Sequence, residues 1–126
     1  MSDYFLSHTE WKTNSNYPNE LKDVYRFNQI HNHPKGILTG TLFLDPLCEY
    51  PPHFHQVSEM YYVIQGEARW TVNTETKIVK TGDWIYHPEY AKHSWTNLQE
   101  SPLHLLWIRW QESHDMELEE KAKLCG

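Results

Sequence analysis

From Gly36 onward the chain consists of short stretches of apolar and β-branched residues separated by turns, and this pattern limits the folds open to it. Glu67–Asn73 alternates most clearly, since Ala68, Trp70 and Val72 share one face of an extended chain. The predicted strands are Gly36–Asp45, Met60–Gln65, Glu67–Asn73, Thr76–Lys80, Asp83–His87, His93–Asn97 and Leu103–Trp110. Strands this short and evenly spaced, with no helical period between them, predict an all-β sandwich or barrel.

A length of 126 residues predicts a single domain. Residues 1–36 are polar and irregular, and we expect them to pack on a barrel that spans residues 37–112. Within the N-terminal segment, Asn19–Asn28 predicts either a short helix or an edge strand. Residues 113–126 form a tail in which Ser113 can cap a terminal helix with a charged, solvated face.

Charge and composition exclude several classes of function. Asp and Glu (17) outnumber Lys and Arg (11), and a net charge of −6 lacks the basic footprint of a protein that binds nucleic acid or an anionic membrane. The longest apolar run, Leu105–Ile108, is far short of the ~20 residues of a membrane span. The first residues lack a signal-peptide pattern, and Cys48 and Cys125 make no disulfide framework. We therefore expect a cytoplasmic protein with reduced thiols that acts on a small molecule.

Three histidines and one carboxylate stand at spacings that indicate a metal site. His53 and His55 are two residues apart, so on a strand both imidazoles point to the same side. Glu59 follows four residues later, and His93 comes after a second turn. Nitrogen and oxygen ligands of this kind suit Fe, Mn, Zn, Ni or Cu, whereas a structural zinc site would use thiolates. The alternative is a set of unrelated surface histidines.

Two spaced motifs around these residues resemble those of the cupin family. The first is His53-x-His55-x3-Glu59-x6-Gly66, and the second is Gly82-x5-Pro88-x4-His93-x3-Asn97, with fifteen residues between the two glycines. The resemblance covers about residues 37–110. It departs from the family pattern at Leu47 and Tyr90, where the family has glycines that permit a positive φ.

The resemblance implies a single cupin jelly-roll β-barrel that holds one divalent ion, Fe²⁺, Mn²⁺, Zn²⁺ or Ni²⁺, in its mouth. The implied ligands are His53, His55, Glu59 and His93. It also implies a homodimer, which an exposed edge strand would favour on physical grounds.

The remaining histidines are interpreted as structural or surface residues. His31 and His33 precede Pro34 without a carboxylate nearby in sequence, which indicates a loop or pocket rim. His87 and His104 lie in predicted strands and are expected to pack with a satisfied hydrogen bond. Exposed positions are expected for His8 and His114.

Tyr61 is the candidate catalytic residue, because it lies two residues after Glu59 and shares its face. A nearby cation favours the phenolate, which can act as a general base. A core tyrosine with a structural hydroxyl is the alternative. Trp70 and Trp95 are candidate pocket walls that could contact substrate, and plain core packing is the alternative for each.

A narrower resemblance links His-x-His-x3-Glu-x-Tyr and the closing Leu106–Ile108 stretch to cupin-type dimethylsulfoniopropionate lyases. It implies that the metal holds the substrate carboxylate while Tyr61 removes the α-proton, so that β-elimination gives dimethyl sulfide and acrylate. The sulfonium cation would suit aromatic walls such as Trp70 and Trp95.

Three other functions remain open for this ligand set. An Fe(II)-dependent dioxygenase would use open metal positions for O₂. A sugar-acid isomerase or hydratase would need more polar groups facing inward than Arg69 and Arg109 provide. A non-catalytic ligand-binding cupin would bind a small molecule without turnover.

Overall fold

The computed structural model describes residues 4–12 and 24–111, and within these ranges every regular element is a strand. The strands are β1 (Tyr25–Phe27), β2 (Ile37–Leu44), β3 (Glu49–His53), β4 (Ser58–Gln65), β5 (Glu67–Val72), β6 (Glu75–Lys80), β7 (Trp84–His87), β8 (His93–Asn97) and β9 (Leu103–Trp110). This arrangement confirms the all-β prediction. In the described part of the chain no helix is long and apolar enough to cross a membrane.

The strands form two antiparallel sheets that pack face to face as a jelly roll. One has five strands in the order β1-β2-β9-β4-β7, and the other has four in the order β3-β8-β5-β6. Side chains alternate between the interior and the outside, as a pleated strand requires. Along β9, for example, Leu103, Leu105, Trp107 and Arg109 are buried while the residues between them are half-buried.

Two elements differ from the sequence-based expectation. β3 was not predicted, because Pro51 and Pro52 lack the backbone donors of a sheet ladder. The strand lies at a sheet edge, where proline is tolerated, and its register shifts between Tyr50 and His53. β1 is the edge strand that was one of two alternatives for Asn19–Asn28.

The predicted C-terminal helix beginning at Ser113 lies outside the described residues. The division into residues 1–36, 37–112 and 113–126 stays a prediction.

Leu47 and Tyr90 adopt left-handed backbone conformations, with φ of 60° and 62°. These are the two positions at which the sequence departs from the cupin glycines. Side chains other than glycine cost roughly 1–2 kcal/mol in this region. Both turns therefore keep the geometry that glycine would favour, at some cost in stability.

We expect Tyr90→Gly to stabilise the protein by about 0.5–1 kcal/mol, since relief of the left-handed strain exceeds the entropy that glycine gains on unfolding. Urea denaturation measures the difference. The matched control is Tyr86→Gly, which removes a comparably exposed aromatic side chain from strand β7 and should destabilise the protein. Destabilisation by both substitutions would contradict the strain argument.

Candidate metal centre

The four predicted ligands converge on one point between the two sheets. His53 ends β3 and is directly opposite His93, the first residue of β8, while Glu59 is the second residue of β4 in the other sheet. His55 lies just after β3, so a turn and not the strand pleat sets its direction. One ligand atom from each residue lies within 4.8 Å of all the others.

Backbone carbonyls orient the three imidazole rings. Nδ1 of His53 donates to the carbonyl of Pro51 (2.9 Å), and Nδ1 of His55 donates to that of Val57 (2.9 Å). Nδ1 of His93 donates in the same way to the carbonyl of Ala91 (2.8 Å). Because a carbonyl can only accept, Nδ1 carries a proton in each ring, and in the neutral imidazole Nε2 then keeps a free lone pair. Metal-binding histidines are oriented in this manner.

At the centre of the cluster, the lone pairs of the imidazole Nε2 atoms face those of the Glu59 carboxylate. Oε1 of Glu59 is 3.1 Å from Nε2 of His55 and 2.9 Å from Nε2 of His93. In the neutral rings, with the proton on Nδ1, neither nitrogen can donate to this oxygen. Nε2 of His93 is buried and has no hydrogen-bond partner. A cation between these atoms would satisfy all of them, so the residues fit a divalent metal ion.

Protonation states agree with a ligand role. Burial lowers the pKa of His53 to about 3, helped by the neighbouring His93, so the ring is neutral at physiological pH. Burial alone would raise the pKa of Glu59, but the charge of Arg109, together with the hydrogen bond from His87, outweighs it and holds that pKa well below its ordinary value. The cluster thus presents a neutral imidazole at His53 and an ionised carboxylate at Glu59.

Glu59 is held by two further side chains. Nε of Arg109 donates to Oε2 at 2.9 Å, and Nδ1 of His87 donates to Oε1 at 2.9 Å. Nε2 of His87 accepts a hydrogen bond from Nε1 of Trp70 at 2.8 Å. Burial lowers the pKa of His87 to about 4, with hydrogen bonding to Glu59 opposing that shift. His87 is therefore a neutral, fully buried histidine with both nitrogens satisfied.

Tyr61 lies beside the cluster on the face predicted from the alternation. It is buried, and its hydroxyl lies 3.5 Å from Oε2 of Glu59. Its ring packs against Trp95, with ring centres 4.9 Å apart, and against Trp70 at 5.3 Å. The Tyr61 hydroxyl therefore lies beside the carboxylate of a candidate metal ligand.

Trp70 and Trp95 form an aromatic layer behind Tyr61. Trp95 lies between two neighbours in adjacent strands and stacks on both, on Trp70 at 4.3 Å and on Tyr50 at 4.4 Å. Stacking of this extent favours the core-packing alternative for Trp95. Its indole Nε1 is buried and has no hydrogen-bond partner.

Sequence reasoning missed how Glu59 is held. On β9, Arg109 points to the interior like Leu103, Leu105 and Trp107, because every second residue of the strand does so. This alternation was the sequence signal that placed Arg109 inside the barrel. Arg69, by contrast, is exposed and takes no part in the interior.

The remaining histidines lie away from this centre. No carboxylate is near His31 in sequence, but the fold brings Glu10 to 3.1 Å from its Nε2. Nδ1 of His33 is 3.1 Å from the carbonyl of Pro34. His104 stacks on Phe43 with ring centres 4.1 Å apart on the outer face. His8 is exposed, and His114 lies outside the described residues.

Residues 41–109 match the family model for the cupin domain, a stretch that spans more than half of the chain. The chain belongs to the cupin family. It is also similar to the uncharacterized protein MJ1618 of Methanocaldococcus jannaschii, with 38% identity over 55 residues, or 43% of this chain. The matched stretch is 44% of that relative's length, so less than half of the relative is represented.

Solved cupin structures share the fold. The RmlC-like cupin of Shewanella frigidimarina is similar with a TM-score of 0.70 and 18% identity, covering 91% of this chain and 96% of that one. The DMSP lyase DddQ of Ruegeria pomeroyi is similar with a TM-score of 0.69 and 17% identity, covering 84% of this chain and 58% of that one. At such identities the likeness shows the fold alone.

Substitution of one ligand tests the metal centre. We expect His53→Ala to lose most of the bound metal while the barrel stays folded, because this half-buried ring contributes a ligand and little core packing. Metal content by plasma mass spectrometry and circular dichroism measure the two properties. The control is His104→Ala on the outer face, which should keep its metal. Equal metal content in His53→Ala and the wild type would contradict the ligand assignment.

Proposed function

We propose that this cupin is a metal-dependent lyase that acts on a small carboxylate by α-proton abstraction and β-elimination. The observation that carries the substrate class is the ion pair between Glu59 and Arg109, whose Nε and Oε2 are 2.9 Å apart. Arg109 offsets the charge of Glu59, and histidines bind a metal as neutral imidazoles. Together, the ligands and Arg109 carry no net charge, so the two positive charges of a bound divalent cation are not neutralised by the protein. This favours binding of an anionic substrate group.

The ligands of this proposal are His53, His55, Glu59 and His93. A divalent ion bound there would act as a Lewis acid, holding the substrate carboxylate and stabilising the negative charge that develops beside it. The choice among Fe²⁺, Mn²⁺, Zn²⁺ and Ni²⁺ is left to metal analysis, since geometry and availability decide selectivity more than ligand identity does.

Tyr61 is the proposed general base. Reacting as the phenolate, its oxygen takes the proton from the substrate carbon next to the carboxylate. The electron pair of that C–H bond forms the new double bond, and the bond from the next carbon to the leaving group breaks. With dimethylsulfoniopropionate the leaving group departs as neutral dimethyl sulfide and the product is acrylate. The buried position of Tyr61 beside Glu59 supports this role, because it keeps water from the base.

Trp70 is proposed as the aromatic wall behind the base, with Trp95 stacked behind it in the core. Trp70 also lines a groove of about 490 Å³ between the β6 and β7 edges. An aromatic wall suits a substrate with a sulfonium cation or an apolar leaving group better than a polyhydroxylated sugar acid.

Tyr61→Phe tests the role of the base. We expect the variant to keep its metal and to lose activity by about 10²–10⁴-fold, because only a hydroxyl at 3.5 Å from Glu59 is removed. Dimethyl sulfide in the headspace above protein, metal and dimethylsulfoniopropionate measures the turnover. Tyr62→Phe is the matched control, since Tyr62 faces outward and packs on Trp84.

Three outcomes would contradict parts of this proposal. Full activity of Tyr61→Phe would assign Tyr61 to packing. Turnover of small carboxylates only with iron and O₂ would favour the dioxygenase. A metal-loaded protein that binds carboxylates without converting them would favour a binding protein.

We also propose that two copies of the chain pair through the outer face of β4, β7 and β9. The outward residues there carry no formal charge at neutral pH in a chain with a net charge of −6: Met60, Tyr62, Ile64, Trp84, Tyr86, His104, Leu106, Ile108 and Trp110. An uncharged apolar face favours a partner with an equally uncharged face, and a second copy supplies one by two-fold symmetry.

Sedimentation equilibrium tests the pairing. We expect a dimer for the wild type and a monomer for Trp84→Glu, because a carboxylate on this face would be desolvated without a partner. Ile78→Glu, on the exposed β6 edge, is the control and should remain a dimer. A wild-type monomer at high protein concentration would contradict the proposal.

A further inference from the structure

His87 lies between a tryptophan and a predicted metal ligand without itself belonging to the ligand set. It is the last residue of β7 and is paired in register with Glu59 of β4. Its ring is fully buried and stacks on that of His93, with centres 3.8 Å apart. Its two nitrogens make hydrogen bonds of 2.8 Å to Trp70 and 2.9 Å to Glu59.

The indole of Trp70 and the carboxylate of Glu59 select the same tautomer of His87 from opposite sides of its ring. Because an indole N–H can only donate, Nε2 of His87 must accept, and in the neutral ring the proton is then on Nδ1. Nδ1 therefore donates to Oε1 of Glu59. In the other tautomer a lone pair would face this carboxylate oxygen, and the contact would become repulsive.

The other carboxylate oxygen of Glu59 is also held. Nε of Arg109 donates to Oε2, so donors from β7 and β9 fix the carboxylate from both sides of β4. Oε1 is the oxygen that faces Nε2 of His55 and Nε2 of His93. The orientation of the carboxylate is thus set before any ion binds.

We propose that Trp70 and His87 form a positioning pair, in which the indole of Trp70 holds the His87 ring in the tautomer that donates from Nδ1, and His87 orients Oε1 of Glu59 toward the metal. The pair contributes to metal affinity and takes no ligand position. This inference rests on metal binding by the cluster and is independent of the lyase reaction.

The experiment compares two buried tryptophans that stack on each other. Trp70→Phe removes the donor to His87, whereas Trp95→Phe removes an indole N–H without a partner from the same aromatic stack. We expect Trp70→Phe to weaken Zn²⁺ binding by about 10–100-fold, measured on metal-free protein by competition with a chelating dye. Trp95→Phe should stay close to the wild type.

A second pair of variants separates positioning from packing. His87→Asn keeps an N–H donor near the place of Nδ1, and an amide has no tautomer for Trp70 to fix. It should therefore retain affinity, and it should also restore affinity in the Trp70→Phe background. His87→Leu keeps an apolar side chain but lacks the donor, so it should bind about 10–100-fold more weakly.

The outcomes discriminate among the claims. Equal Zn²⁺ affinity of Trp70→Phe and the wild type, or equal losses in Trp70→Phe and Trp95→Phe, would overturn the positioning pair. If Trp70→Phe does not fold, equal affinities of His87→Leu and His87→Asn would overturn it. A wild-type protein that binds no Zn²⁺ would instead contradict the metal centre itself.

Discussion

The interior of this barrel depends on the buried carboxylate of Glu59. A buried charge without partners costs several kcal/mol. The strands on either side of β4 must therefore supply an opposite charge and hydrogen-bond donors to Glu59. Arg109 on β9 and His87 on β7 provide them from the two neighbouring strands, each directly opposite Glu59. A slip of either strand by one residue would turn its donor to the outer face. The same contacts that stabilise the buried charge also fix the register of the sheet.

Much of the fold and the four candidate ligands could be predicted because local rules apply there. Strand alternation and the turns at Gly66 and Gly82 predicted seven of the nine strands to within a few residues. The motif spacing named four residues that the structure brings together from both sheets. The alternation also placed Tyr61 on the face of Glu59, where its hydroxyl is found.

What the sequence did not predict depends on contacts between distant parts of the chain. β3 contains two prolines, and only its position at a sheet edge makes that strand possible. The partners of Glu59 lie 28 and 50 residues away, so His87 and Arg109 could be paired with it only once strand order and register were known. The contact between His31 and Glu10 spans 21 residues and depends on the N-terminal segment. Reaction class has no comparable signal, because one fold carries many activities.

X-ray absorption at the K-edge of the zinc-loaded protein tests the central claim most directly. Three histidines and one carboxylate should give a first shell of nitrogen and oxygen at about 2.0–2.1 Å, with the outer-shell scattering typical of imidazole rings. A metal centre formed by His53, His55, Glu59 and His93 would be contradicted by sulfur neighbours at about 2.3 Å, or by an oxygen shell without imidazole scattering.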